Sequence, residues 1–190
     1  MKRTPGTPAE SLNASVTALE GQGYLRLKSL SCVAAGQLRA VSLAGLEMPR
    51  DVGQGVAFEA AGGRGRILCV GPLDWFMVME DLSAVQALLD QLKPYARDEG
   101  LIIVDLSHSH ATFEVQGPAA CELLAKGCGL DFHERVFTAG RCARTRLAQM
   151  PVLIERRDNQ GHFELHAPRS YAQYLLEWLA DAAIGLTELS

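Results

Sequence analysis

The sequence has few aromatic residues, little excess charge of either sign and no long apolar run. Aromatic residues make up 6% of its 190 positions, and the formal net charge is -4. A broad nucleic-acid surface needs a clear excess of lysine and arginine, so that class of partner is excluded. No apolar stretch approaches the roughly 20 residues of a membrane span, and the N-terminus lacks the apolar segment of a signal peptide. We therefore expect a cytoplasmic protein.

Cysteine is too scarce and too scattered to build a disulfide framework. The five cysteines are odd in number, and most lie inside apolar segments, where a thiol behaves as a small hydrophobe. We interpret all of them as reduced core residues: Cys32, Cys69, Cys121, Cys128 and Cys142.

Metal-ligand spacing is absent as well. Cys128, His133 and Cys142 match no common zinc pattern. His108 and His110 would share one face of a strand, as would His162 and His166. We expect the histidines at turns or on solvent-facing strand positions, and we predict no metal site.

The motifs of nucleotide binding and nucleophilic catalysis are also missing. Neither GxGxxG nor GxxxxGK[ST] occurs, so no phosphate cradle is predicted. Ser107 with His108, or Cys128 with His133, would be neighbours in sequence without a GxSxG elbow or a third group to orient the base. We predict no catalytic and no cofactor-binding residues in this chain.

The chain divides into a short tail and one domain. Residues 1–22 are rich in Pro, Ser, Thr, Gly and Ala without a sustained apolar period, which predicts a mobile N-terminal tail. Residues 23–190 have the apolar content of a single α+β domain. Partial alternation of apolar and polar residues, interrupted by Gly and Pro at turns, predicts strands at 24–30, 37–43, 55–60, 66–70 and 75–80.

Three amphipathic segments predict helices. The first begins near Ser83 and should end at Pro94, the second follows Pro118 and stops near Gly127, and the third begins near Ser170 and should finish at Gly185. The segments 66–92 and 151–179 both read strand, turn, strand, Ser cap, helix. This weak repeat predicts a duplicated α+β fold of strand-strand-helix units, with antiparallel sheets and helices packed on one face.

Two arginines alternate along a predicted strand. Arg144 and Arg146 would share a face, while Arg141 would point the other way. Paired guanidinium groups could bind a polyanion or an acidic patch on another subunit, but a salt-bridged strand face is the interpretation we favour.

Several segments carry a resemblance to a known family. They are DLSH (105–108), QGP (116–118), LLAKGCGLDFH (123–133), GRCA (140–143) and PRSY (168–171). Together they resemble the gamma subunits of heterotetrameric sarcosine oxidases, over roughly residues 65–183. The motif positions, which we predict to be structural or interface residues, are Asp105, Ser107, His108, Gly117, Lys126, Gly127, Cys128, Asp131, Gly140, Arg141, Arg169 and Ser170.

The resemblance implies both a fold and a function. The fold would be that of the folate-binding module of the glycine-cleavage T-protein, a duplicated α+β unit. The function would be that of a non-catalytic assembly subunit, in a complex that oxidises sarcosine to glycine. The alpha, beta and delta subunits would be its partners, and FAD, FMN, NAD and tetrahydrofolate would lie on those partners.

One departure bears on catalysis. Folate-binding aminomethyltransferases carry acidic residues near the segment between ARTR and FELH, whereas this chain has no carboxylate there before Glu155. A stand-alone folate-binding one-carbon transfer or repair factor is the alternative, and a small-ligand binding module is a third interpretation.

Overall fold

The computed structural model describes residues 15–19, 23–29, 46–98 and 101–187. The predicted strand at 37–43 and the prediction for Cys32 lie outside these ranges. The strands are β1 (Ser15–Leu19), β2 (Gly23–Ser29), β3 (Gly55–Ala60), β4 (Gly63–Gly71), β5 (Asp74–Met79), β6 (Leu101–Asp105), β7 (His110–Gln116), β8 (Cys142–Leu147), β9 (Met150–Arg156) and β10 (His162–Pro168). The helices are α1 (Val85–Asp98), α2 (Ala120–Ala125) and α3 (Ala172–Thr187), and short 3-10 turns at Leu82–Ala84 and Arg169–Tyr171 precede α1 and α3.

The strands form two antiparallel sheets with equivalent topology. Sheet 1 has the order β3-β4-β5-β2-β6, and sheet 2 has the order β8-β9-β10-β7-β1. In each sheet three sequential strands are followed by a helix, and two further strands complete the sheet. The predicted duplicated α+β fold is confirmed. The repeat seen in the sequence covers β4 to α1 and β9 to α3 only, whereas the topology extends it to whole sheets.

The predicted N-terminal tail is wrong for one segment. Ser15–Leu19 form β1, whose backbone pairs with β7 from Ser15 opposite Gln116 to Leu19 opposite Thr112. Backbone pairing to an existing sheet orders a segment that lacks a strong apolar period of its own. Residues 1–14 and 20–22 lie outside the described ranges, and the boundary at residue 23 stays a prediction.

Two predicted helix ends are also wrong. Pro94 lies inside α1, at an exposed position, and the helix continues to Asp98. Helix α3 continues past Gly185 to Thr187, which places Leu186 in the core at 6% exposure. Burial of apolar residues stabilises these helices, and it outweighs the local preference of proline and glycine to end them.

The core has three parts, and the alternation of side chains along the strands determines which residues enter each. The cluster under α1 takes Ile67, Cys69, Trp75, Met77 and Met79 from β4 and β5. The cluster under α2 and α3 takes residues of β7, β9 and β10. The third cluster is formed by the intervening positions of four strands, Leu68, Phe76, Val78, Cys142 and Leu153, where the two sheets meet face to face. The resulting layers are helix, sheet, sheet, helix.

Close packing at Gly127 gives a first prediction about stability. A Cβ atom added there would lie 2.5 Å from Cη2 and Cζ2 of Trp178, and 3.1 Å from the backbone nitrogen of Ala148. We expect Gly127→Ala to lower the free energy of unfolding by about 1–3 kcal/mol, because a ring inside a packed helix contact has to move. Urea unfolding followed by circular dichroism measures the change.

Gly129 supplies a matched control two residues away. A Cβ atom added at Gly129 would meet nothing within 4 Å. Gly129→Ala should therefore stay within about 0.5 kcal/mol of the parent protein. Equal effects of the two substitutions would rule out the steric explanation.

Candidate functional site: a buried charge cluster and the adjoining cleft

Polar side chains occupy part of the contact between the sheets. On β4, Arg66 lies two residues before Leu68 and so on the same face of the strand, which faces sheet 2. On β9, Glu155 lies on the same face as Leu153. On β10, Glu164 and His166 alternate with Phe163 and Leu165, which face the helices. Period-two geometry therefore directs all four polar side chains into the space between the sheets.

Arg66 joins the two sheets by ion pairs. Its Nε lies 2.9 Å from Oε1 of Glu155, and its Nη2 donates to Oε2 of Glu164. The side chains of Arg66, Glu155 and Glu164 are 7%, 2% and 6% exposed, so these bonds are formed away from water. Charge-assisted hydrogen bonds of this kind are stronger than neutral ones.

Two further side chains complete the cluster. Arg157 places Nη1 2.8 Å from Oε1 of Glu155 and Nε 3.1 Å from Oε1 of Glu164. The Nε2 atom of His166 lies 3.6 Å from Oε2 of Glu155, and its Nδ1 lies 2.7 Å from the hydroxyl of Thr112. Two arginines thus balance two carboxylates inside the protein. We name the set of Arg66, Glu155, Arg157, Glu164 and His166 the charge cluster.

The cluster changes the acidity of Glu155. Burial opposes ionisation, but the contact with His166 and the charges of Arg66 and Arg157 outweigh it and lower the pKa of this carboxyl to about 2. Glu155 is therefore ionised throughout the physiological range.

A metal ion would have to compete with these arginines. Within the described part of the chain, ligand atoms of Glu155, Glu164 and His166 lie within 4.8 Å of one another, which is a spacing suitable for a cation. Both carboxylates, however, already bind Arg66 and Arg157. The arrangement fits an ion-pair network between sheets better than a metal centre, and the prediction of no metal site stays a prediction.

A cleft adjoins the charge cluster at His166. It has a volume of about 260 Å³. Phe76 of sheet 1 forms one wall, strands β8, β9 and β10 of sheet 2 form much of the rest, and the ring of His166 lies 5.6 Å from that of Phe76. The described residues that line it are Phe76, Leu106, His110, Arg144, Thr145, Pro151, Val152, Leu153, His166 and Pro168.

Two of the family motifs meet in space. In DLSH, the carboxylate of Asp105 accepts a hydrogen bond from the backbone of Ser107, and Ser107 is buried. The exposed Arg169 of PRSY donates to the carbonyl oxygens of His108 and His110 at 3.0 and 3.2 Å. Ser170 lies exposed in the 3-10 turn that follows. Arg169 thus ties the turn after β6 to the start of α3.

The AKGCGLD motif lies at turns and in the core. Lys126 donates to the carbonyl of Ala182 at 2.9 Å, and Gly127 packs against Trp178. Cys128 is buried, with its Sγ 3.5 Å from the hydroxyl of Thr145. The carboxylate of Asp131 accepts from the backbone of His133.

The remaining motif positions lie at close approaches of the backbone. Gly117 has φ +132° and donates to the carbonyl of Gly161. Gly140, with φ +77°, accepts from the backbone of Gly55, and Arg141 forms an isolated bridge with Gln54. Gly140 and Arg141 thus join the edge of sheet 2 to the start of sheet 1. The structural or interface role of the motif positions stays a prediction.

The sequence predictions for two cysteines and for Arg144 agree with the structure, whereas the one for the histidines is wrong at His166. Cys128 and Cys142 are buried and reduced, as predicted, and burial raises the pKa of Cys142 to about 12. Arg144 forms an ion pair with Asp74, with Nη1 3.1 Å from Oδ2, in agreement with the salt-bridged interpretation of this strand. The prediction that the histidines face solvent is wrong for His166, whose side chain is fully buried.

The charge cluster was missed because its signal is ambiguous. In FELHA, Glu164 and His166 alternate with apolar residues, which is typical of a strand with one face in water. A second sheet covers that face instead, and strand alternation carries no information about which sheet packs there. The one available hint was Arg66, a charged residue that directly precedes the apolar residues 67–70.

Similarity to known proteins extends over almost the whole chain. Residues 67–188 match the family described as GCVT N-terminal domain. The chain is 32% identical to the sarcosine oxidase subunit gamma of Arthrobacter sp. and 30% identical to that of Corynebacterium sp. (strain U-96), and each match covers 93% of this chain and 88% of the relative.

Solved structures agree with the sequence matches. A chain of the heterotetrameric sarcosine oxidase from Corynebacterium sp. U-96, in complex with pyrrole 2-carboxylate, superposes with a TM-score of 0.73 at 25% identity, covering 90% of this chain and 84% of that one. The glycine cleavage system aminomethyltransferase T from Bartonella henselae shares the fold, with a TM-score of 0.66 at 19% identity over 87% of this chain and 45% of that chain. Within the described ranges, no helix has both the length and the apolar character of a membrane span.

Proposed function

The chain belongs to the family of sarcosine oxidase gamma subunits, and from that premise we propose that it is a non-catalytic assembly subunit of a heterotetrameric sarcosine oxidase. The complex demethylates sarcosine oxidatively to glycine. The observation that carries the proposal is the extent of the similarity. The sequence match covers 93% of this chain and 88% of the Arthrobacter relative, and a chain of the Corynebacterium complex superposes with a TM-score of 0.73.

The charge cluster supports a non-catalytic role. A carboxylate that binds an amine substrate or moves a proton has to be accessible and poised to change its protonation state. Glu155 and Glu164 are buried and bound to Arg66 and Arg157, so their hydrogen-bonding capacity is directed into the protein. The two carboxylates join the sheets through Arg66 and are not accessible to a substrate.

Partners and cofactors follow from the same proposal. The alpha, beta and delta subunits are the partners, and FAD, FMN, NAD and tetrahydrofolate are bound by those partners. The sequence has neither a GxGxxG nor a GxxxxGK[ST] motif of its own, which is consistent with that division.

Co-expression with the large-subunit genes of the same organism tests the proposal. We expect native mass spectrometry to find this chain in a flavin-containing assembly, and we expect the large subunits expressed without it to give less of that assembly. Failure of the chain to join would overturn the proposed complex. Full assembly and activity without the chain would overturn its assembly role.

The GCVT domain match favours one alternative, a stand-alone folate-binding one-carbon transfer or repair factor. The purified chain distinguishes the two functions. An assembly subunit is colourless, inactive on sarcosine and without measurable heat of binding to tetrahydrofolate. Tight folate binding by the isolated chain would favour the alternative.

A further inference from the structure

We propose that the cleft between the sheets binds a small organic carboxylate with an apolar body, anchored by Arg144. The inference concerns this chain alone and extends beyond its role in a complex. It rests on the shape of the cleft, the character of its walls and the sign of the charge that they present.

The walls of the cleft are mainly apolar. Phe76, Leu106, Val152 and Leu153 contribute aliphatic and aromatic surface, and Pro151 and Pro168 contribute two rigid rings. Small-molecule sites typically combine such walls with a few polar groups that fix orientation. The volume of about 260 Å³ corresponds to roughly nine water molecules, at about 30 Å³ each. A ligand of about that many non-hydrogen atoms would fill it.

The charge of the lining selects an anion. Among the described residues that line the cleft, Arg144 carries the fixed charge, the other titratable groups are His110 and His166, and no carboxylate is included. The nearest acidic groups beneath His166 are Glu155 and Glu164, which Arg66 and Arg157 balance. Of the described groups in the lining, a ligand therefore meets the cation of Arg144 and no carboxylate, since the Asp74 that pairs with Arg144 lies outside the lining.

An ion pair with Asp74 orients the side chain of Arg144. Its Nη1 donates to Oδ2 of Asp74, a residue that is 7% exposed and does not line the cleft. A guanidinium group has five N–H donors in a planar fork, so one bond to Asp74 orients the group and leaves capacity for a carboxylate. The Asp74 charge offsets part of that of Arg144, and we expect dissociation constants of about 1 mM for a ligand of this size.

Benzoate is the probe, because it has an apolar ring and one carboxylate. Its size of about nine non-hydrogen atoms matches the volume of the cleft, which corresponds to roughly nine water molecules at about 30 Å³ each. The experiment titrates it into the full-length ¹⁵N-labelled chain at constant ionic strength. We expect saturable shifts of the backbone amides of Thr145 and Leu153. Benzamide, which has the same shape without the charge, should bind about tenfold more weakly.

Two variants locate the anchor. Arg144→Gln should weaken benzoate binding about tenfold, whereas Arg146→Gln, an exposed position on the same face of β8 outside the cleft, should leave it unchanged. Equal binding of benzoate and benzamide by the unmodified chain would overturn the proposal, as would the absence of saturable shifts. The benzamide comparison does not depend on the stability of either variant.

Discussion

Replacing Arg66 with methionine is expected to lower the free energy of unfolding by about 3–5 kcal/mol, the largest single effect that we predict in this chain. The substitution removes the Arg66 partner of Glu155 and Glu164, which are 2% and 6% exposed. Arg157, whose side chain is 26% exposed, then faces the two nearly buried carboxylates alone. Urea unfolding at pH 7 measures the loss.

An exposed ion pair formed by another arginine of β4 provides the matched control. Arg64 on β4 lies 3.4 Å from Glu80, with side chains 71% and 45% exposed. Arg64→Met should cost less than about 1 kcal/mol, because water solvates the charge of Glu80 once its partner is removed. If Arg64→Met and Arg66→Met destabilise the protein equally, burial of the charges is not the cause.

A combined variant separates the lost ion pairs from the lost packing. Adding Glu155→Gln and Glu164→Gln to Arg66→Met removes both buried carboxylates, of which Arg157 alone can balance one, and leaves only the charge of Arg157, whose side chain is 26% exposed to water. We expect the triple variant to recover part of the stability, since replacing a buried ion pair by neutral groups is often less costly than breaking it. A triple variant less stable than Arg66→Met would contradict this explanation.

Acid should destabilise the protein through Glu155. The pKa of this carboxyl is lowered from 4.5 to about 2 on folding, so the unfolded chain binds its proton at a higher pH than the folded chain does. The group therefore contributes stability that is present above about pH 4.5 and is lost as the pH falls toward 2. The expected contribution is on the order of 3 kcal/mol.

Glu155→Gln tests the assignment. Glutamine does not titrate, so the difference in unfolding free energy between the parent protein and the variant should be largest near pH 7 and should shrink as the pH approaches 2. Glu80→Gln, at an exposed position, should follow the parent curve at every pH. A constant difference between the parent and Glu155→Gln across the pH range would mean that the titration belongs to other groups.

These expectations describe a protein whose buried charges serve architecture. Arg66 comes from sheet 1, and Glu155 and Glu164 come from sheet 2, so the charge cluster fixes how the two halves of the duplicated fold face each other. A partner subunit that binds across both halves would require this relative position to be constant. The cluster thereby connects stability to the proposed role in assembly.

Local patterns were sufficient for much of the secondary structure. The strand predicted at 55–60 has the observed bounds, and the apolar face of α3 buries Leu175 and Leu179 as its periodicity indicates. Predictions made from single residues did less well. Pro94 and Gly185 do not end their helices, because long-range burial of the helix faces outweighs a local preference.

By itself, the sequence determined the three helices and most of the described strands, the duplication visible in β4–α1 and β9–α3, and the family, since periodicity and motifs are properties of contiguous residues. Only the tertiary structure decided which polar residues face a second sheet. The alternation of Glu164 and His166 with apolar neighbours is the same whether water or Arg66 covers them, and Arg66 is 98 residues away from Glu164 along the chain. That contact depends on how two sheets pack, and the cleft beside His166 depends on it too.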